Sequence, residues 1–303
     1  MRTVPRELYP FQGKHLDVGG LRMHCLDEGQ GDAVVCVHGN PTWSFYYRRL
    51  VVALRGSHRV VVPDHIGCGL SEMPGDDRYP YTLERRVDDL EELIDRLGVG
   101  DVTLVVHDWG GAIGLGWAVR HPERVRRLVI LNTAAFHLPP GKRMPWQLSL
   151  VRDTPVGPLL VRGLNAFARG ATHVGCTRSR MPRVVRDALC APYDSWAARR
   201  AVLRFVQDIP LKPGEPAYDQ LSRTEQGLAA FADRPVLILW GGRDFVFDHH
   251  FLAEWRRVFP GAEVHEFADC GHYVLEDAAE EIIPLVQRFL AAGRQRASDC
   301  WTG

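Results

Sequence analysis

Five short runs of β-branched and aliphatic residues punctuate the chain: VVCVHG at 34–39, RVVVPD at 59–64, VTLVVHD at 102–108, RRLVILN at 126–132 and PVLILWG at 235–241. Each is almost continuously apolar and gives way to turn residues and then to helical spacing. That is the pattern of strands covered on both faces in a mostly parallel sheet. A further strand is expected around Ala262 to Phe267. The stretches between them follow a longer period. LERRVDDLEELIDRLG places Leu83, Val87, Leu90, Ile94 and Leu97 on one stripe with charges opposite, and Gly98 stops it. Glu280 to Leu290 gives a second amphipathic segment. Strands alternating with amphipathic helices define an α/β class with helices on both faces of the sheet.

The alternation breaks between Asn132 and Val236. The interval carries proline- and arginine-rich helical stretches, VGPLLVRGLNAFARGA and MPRVVRDAL, with Arg178 to Pro182 as a turn between them, and no convincing strand. The expected organisation is a core in two parts, 1–133 and 231–303, with a helical cap inserted over 134–230. At 303 residues the chain has room for a large core plus such an insertion.

Charge narrows the partners. Lys plus Arg and Asp plus Glu each total 37, so the whole-chain balance offers no long-range positive field for nucleic acid or acidic lipid. The 7 cysteines, Cys25, Cys36, Cys68, Cys176, Cys190, Cys270 and Cys300, are dispersed, odd in number and lack metal-ligand spacing. A reducing cytoplasm suits them. The opening MRTVPRELYPFQGKH has no apolar core of the secretory kind, and no window is long and apolar enough to span a bilayer. Peripheral association through a modest patch stays open.

Candidate chemistry begins at VVHDWGGAIG, 105–114. A strand ends at Asp108 and glycines lead directly into a helix, the context that lifts a nucleophile to a sheet edge and aims helix N-terminal amides at it. Val106 and Asp108 replace the first glycine and the serine of G-x-S-x-G, so serine acyl chemistry is disfavoured. Aspartate is also a good helix N-cap, and the stretch alone does not separate the two roles. FADCGHYVLED supplies His272 on a loop before the last helix, and LILWGGRDFVFD supplies Asp244 just after a strand. Asp244 is preferred as the histidine's partner because Asp248 is better placed to cap the next helix. HGNPTWSFYYR adds Asn40, whose amide, with the indole N–H of Trp109, forms a pair of neutral donors for an anion. The backbone N–H groups of Asn40 and Trp109 offer a separate oxyanion site. Asp64, His65 and Cys68 in DHIGCGLSEMP read as a structured loop rather than a metal or thiol site.

The motifs HGNPTW, DHIGCGLS, VVHDWGG and GHYVLED, with the cap, resemble the haloalkane dehalogenase and epoxide hydrolase branch of the α/β-hydrolase superfamily over roughly Pro10 to Leu290. The order nucleophile, acid, histidine is that of the superfamily. The resemblance implies Asp108 as nucleophile, His272 as its base partner, Asp244 as supporting acid, and Asn40 with Trp109 as the leaving-anion pair. Uncharged Asn132, where some members place a glutamate, strengthens the choice of Asp244. A narrower resemblance, carried by HGNPTWSFYYRRL, LNTAAF, GPLLVRGLNAFARGA and APYDSW, is to the β-lactone decarboxylases of bacterial long-chain olefin biosynthesis. It implies decarboxylation of a cis-3-alkyl-4-alkyloxetan-2-one to a cis-alkene and carbon dioxide. The competing readings are haloalkane dehalogenation, epoxide hydrolysis with Tyr193 and Tyr218 as available ring-opening donors, and a catalytically silent ligand-binding protein. No cofactor or metal is implied. The implied partners are a hydrophobic small molecule, a second copy of the chain as a homodimer, or a complex with other olefin-biosynthesis enzymes. Trp146, Leu148, Leu159, Leu160, Leu164 and Phe167 have the composition to line an elongated chamber in the cap.

Overall fold

The computed structural model describes residues 4–299, with side chains through residue 292; Cys300 lies outside the described residues. Eight strands, β1 Lys14–Val18, β2 Leu21–Glu28, β3 Ala33–Val37, β4 Arg59–Pro63, β5 Val102–Asp108, β6 Val125–Thr133, β7 Val236–Gly241 and β8 Glu263–Phe267, form one sheet in the order β1-β2-β4-β3-β5-β6-β7-β8. The pairs from β4 through β8 are parallel, as the continuous apolar runs predict. The antiparallel β1 and β2, joined through Gly19 and Gly20, are an addition to that expectation.

The helices are α1 Arg48–Leu54, α2 Leu83–Arg96, α3 Trp109–Ala118, α4 Trp146–Asp153, α5 Ala166–Val174, α6 Arg183–Cys190, α7 Arg200–Gln207, α8 Tyr218–Gly227, α9 His249–Val258, α10 Val274–Asp277 and α11 Ala279–Asp299. α2 buries Leu83, Val87, Leu90, Leu93 and Ile94, is capped by the Thr82 side chain accepting from the Arg85 amide, and is followed by Gly98 at φ +58°. Two apolar layers result. Leu104, Val106, Ile113, Trp117 and Trp255 pack on one face of the sheet, and Val105, Leu131, Leu237, Tyr46 and Ile282 on the other.

Between β6 and β7 the described residues form helices and no strand. Val151, Val161, Tyr193, Val202 and Val206 make a separate apolar cluster there. α8, inside the interval expected as cap, instead sends Leu221 into the main core beside α2 and α3.

The connection after β3 runs to β4 on one side, while the connection after its other neighbour, β5, runs to β6 on the opposite side. Such a switch point opens a crevice beyond the carboxyl ends of the strands. The loops after β3, β5, β7 and β8 all open at that end, and they carry Asn40, Asp108, Asp244 and His272.

Candidate active site

At the end of β5 the backbone of Asp108 takes φ +52° and ψ −130°, a conformation that costs a non-glycine residue of order 1–3 kcal/mol. Two bonds hold it. The Thr133 hydroxyl donates to the Asp108 carbonyl, and the Trp109 amide donates to Asp108 Oδ1. The tight approach is possible because position 39 is glycine. A Cβ there would lie 2.4 Å from the Asp108 Cβ and 2.6 Å from the Trp109 nitrogen. Gly110 allows a comparable approach, since a Cβ would stand 1.9 Å from the Val37 carbonyl. Gly39→Ala is therefore expected to destabilise the fold by about 3 kcal/mol through overpacking. Thermal melting should detect this, with activity falling in protein that remains folded.

The two carboxylate oxygens of Asp108 are placed differently. Oδ1 caps α3, while Oδ2 sits 3.3 Å from His272 Nε2. On the other side of the ring, His272 Nδ1 donates to Asp244 Oδ2 at 2.7 Å. The short contact has charge-assisted length and the longer one does not, so the ring is tethered to Asp244 and rests loosely against Asp108. Asp244 is in turn fixed by the Val246 amide on Oδ1 (2.8 Å) and by Asn132 Nδ2 on Oδ2 (3.1 Å). Burial opposes charge on His272, but the Asp244 and Asp108 carboxylates overcome it and raise the imidazole from 6.5 to about 10. The resting site therefore holds an imidazolium between two carboxylates.

Asn40 Nδ2 donates to the Val202 carbonyl of α7 at 3.1 Å, tying the loop after β3 to the cap and leaving its second N–H. Asn40, Asp108, Trp109 and His272 all line one cavity of about 550 Å³, while Asp244 stands behind the imidazole. The rest of the lining is overwhelmingly apolar, including Phe136, Leu148, Val151, Leu160, Phe167, Val206 and Phe247. Trp146, Leu148, Leu160 and Phe167 contribute as expected. Leu159 and Leu164 do not; they face solvent, 57% and 60% exposed. Of the two tyrosines, Tyr193 donates to the Thr42 carbonyl at 3.1 Å and Tyr218 stacks near His137, and neither lines the cavity. The tyrosine that does line the cavity is Tyr273, beside His272.

Two participants were not foreseen. Asn132 grips both Asp244 and the backbone of Gly241. His107 places its ring 4.7 Å from that of His272, with Nε2 2.8 Å from the His272 carbonyl; burial holds it well below the ordinary histidine range, so it donates as a neutral ring. Their immediate proximity to HD and to a strand end was the available signal.

The loop after β4 is structural. Asp64 accepts from His24 Nδ1 (2.8 Å), the Ser44 amide (2.6 Å) and the Leu70 amide (2.9 Å), and burial pushes the Cys68 thiol up to about 12. Asp248 caps α9. It forms a potential ligand group with His249 and His250, but the Lys142 ammonium already occupies one oxygen at 3.0 Å.

A profile of the α/β hydrolase fold family matches residues 32–279. The chain belongs to that family, in its haloalkane dehalogenase-like branch. It is 56% identical over 284 residues, 93% of this chain and 89% of the relative, to a cis-3-alkyl-4-alkyloxetan-2-one decarboxylase of Shewanella oneidensis. It is 52% identical over 93% of its length, and 97% of the relative's, to the decarboxylase of that name in Xanthomonas campestris. Among solved structures, the haloalkane dehalogenase DatA from Agrobacterium tumefaciens aligns with a TM-score of 0.83 at 25% identity, covering 93% of this chain and 96% of that one.

Proposed function

We propose that this chain is a cis-3-alkyl-4-alkyloxetan-2-one decarboxylase, converting its β-lactone to a cis-alkene and carbon dioxide with Asp108 as nucleophile. The observation that carries the mechanism is that Asp108, whose Oδ1 caps α3 and whose Oδ2 takes no part in that cap, lines an apolar cavity together with Asn40, Trp109 and His272. The identity to decarboxylases over nearly the whole chain supports the substrate class.

In this reading Oδ2 attacks the alkyl-bearing C4 of the lactone. The C4–O bond breaks with inversion, and the ring oxygen leaves as a carboxylate received by Asn40 Nδ2 and the Trp109 indole N–H. The bond from C3 to that carboxylate then breaks. Its electron pair forms the alkene, carbon dioxide departs, and the C4–Oδ2 bond opens to restore the Asp108 carboxylate. Inversion followed by anti elimination keeps the two alkyl groups cis. No water is consumed and no proton changes hands, so an imidazolium can stabilise Asp108 throughout without serving as a base. A dehalogenase, in contrast, needs His272 to accept a proton from water when its alkyl ester is hydrolysed.

The apolar cavity suits two alkyl arms. The six described cysteines are free thiols, in keeping with work in the cytoplasm, and no described helix is long and apolar enough to cross a membrane. The reading requires enzymes that condense acyl chains, reduce the product and close the β-lactone upstream, and it suits either a homodimer or a multienzyme complex. The deciding experiment is product analysis with a synthetic cis-β-lactone. Alkene and carbon dioxide in equal amounts are expected; a β-hydroxy acid would establish hydrolysis instead, and retention of intact lactone would establish binding without turnover. A haloalkane run in parallel is expected to give a far lower kcat/KM.

A further inference from the structure

The balanced charge of the whole chain conceals a strong segregation. Residues 138–211 contain twelve Lys and Arg against four Asp and no Glu, a formal +8, so the remainder carries −8. The same segment holds ten of the twelve exposed large apolar side chains among the described residues. Several of these are not scattered. Leu138, Trp146, Leu150 and Val174 are 36–71% exposed yet line the active-site cavity, as does Phe245, so they form its rim. Exposed apolar patches of this kind mark interaction surfaces.

The cations are arranged to match. Arg143, Arg162, Arg169, Arg180 and Arg186 have no carboxylate at ion-pair distance among the described residues. Helix α5 turns Phe167, Gly170, Ala171 and Val174 to the apolar cavity and Arg169, Thr172 and His173 to a second depression of about 380 Å³. That depression is also lined by Arg183, paired with Asp187, by Arg199, which donates to the Tyr193, Arg162 and Gly163 carbonyls, by Asp194, and by Arg186, whose Nη1 meets His173 Nε2 while its Nε–H is buried without a partner. A surface both apolar and cationic, with a guanidinium-lined hollow of phosphate-binding chemistry, complements an anionic lipid interface. It fits a second copy of the chain less well, because two surfaces carrying Arg143, Arg169 and Arg180 without carboxylate partners would meet and a rigid seal would close the cavity mouth. Nucleic acid would use the arginines but leave the apolar rim in water.

We propose that the cap docks onto an anionic phospholipid bilayer, with headgroup phosphate in the α5–α6 depression and the cavity mouth open to the acyl region. That the mouth then exchanges alkyl substrate and alkene with the lipid rests on the decarboxylase reading; docking itself does not. The test is sedimentation of the full chain with vesicles of phosphatidylglycerol and phosphatidylcholine, compared with phosphatidylcholine alone and repeated at high salt. Binding at least tenfold stronger to the anionic vesicles is expected, weakened by salt. Arg143→Gln and Arg169→Gln should each cost about fivefold. Leu159→Gln with Leu164→Gln should also weaken binding, with unchanged thermal melts because all four side chains are exposed. No substrate enters this assay, so failure of the decarboxylase reading leaves its result intact. Absence of anionic-vesicle binding, indifference to these substitutions, or binding of inorganic phosphate or duplex DNA without vesicles would overturn the proposal. So would a dimer by light scattering that Leu164→Gln dissociates, which would give the patch to a second copy.

Discussion

Asp108→Asn is expected to lower kcat for the cis-lactone by about 10⁴-fold or more and the melting temperature only slightly. The two halves of that result come from the two oxygens of one side chain. Asparagine is as good an N-cap as aspartate, so the bond from the Trp109 amide to Oδ1 has a direct replacement and helix α3 keeps its start. The contact to His272 that is lost is the long one, 3.3 Å, whereas the 2.7 Å tether to Asp244 remains. The expected loss of stability is therefore about 1–2 kcal/mol, small beside the roughly 3–5 kcal/mol of a buried charge left with no partner. Chemistry has no such replacement, because a neutral amide neither displaces a carboxylate from C4 nor leaves as an anion when the alkene forms. Intact mass must verify that the asparagine has not deamidated. Full activity in a verified variant, with no covalent adduct on wild-type Asp108 in a single turnover, would reduce Asp108 to a helix cap.

The reach of the sequence follows from which physical signals are local. The strands at 59–64, 102–108 and 126–132 were legible because a parallel strand covered on both faces must be apolar at nearly every position. β1 and β2 were not, since KHLDV and LRMHCLDE intersperse charges and histidines among apolar positions, β1 as an exposed edge strand and β2 with His24 buried against Asp64. The candidate site residues stood out through position at strand exits, and Asp244 was separable from Asp248 as the histidine's neighbour because only the latter precedes a helix it can cap. Side-chain direction was not legible. Leu159, Leu160 and Leu164 look alike in sequence, yet a π-helical turn over Leu159–Gly163 and the left-handed Asn165 point only Leu160 into the cavity. Asn132 was noted for the charge it lacks, but its grip on Asp244 depends on β6 lying beside β7, a fact of topology. Whole-chain charge is silent in the same way: a sum of zero carries no information on where its two halves lie.

His272→Gln is the substitution expected to separate the two chemistries that share this site. With a haloalkane, Asp108 should still displace halide, but the resulting ester has no base to activate water. Halide release should stop near one equivalent per chain, the alkyl-enzyme should be visible by mass, and hydrolysis should fall by about 10²–10⁴-fold. With the cis-lactone the ester resolves by losing carbon dioxide, so turnover should continue, reduced by about 10–100-fold through the missing cation between Asp244 and Asp108. The pH dependence distinguishes the same roles. The folded-state value of about 10 lies above the unfolded 6.5, so the stabilisation from this ion triad is fully present below pH 6.5. It declines as pH rises toward about 10, and wild-type melting temperatures should fall through that window more steeply than those of His272→Gln. Lactone turnover that needs the imidazolium as a cation should fade over the upper part of the same window, not rise as it would if a neutral base were required. Accumulation of a lactone-derived ester in His272→Gln, resolved in wild type to a hydroxy acid, would mean that water and a histidine base complete the reaction, and the decarboxylation mechanism would fail at its second step.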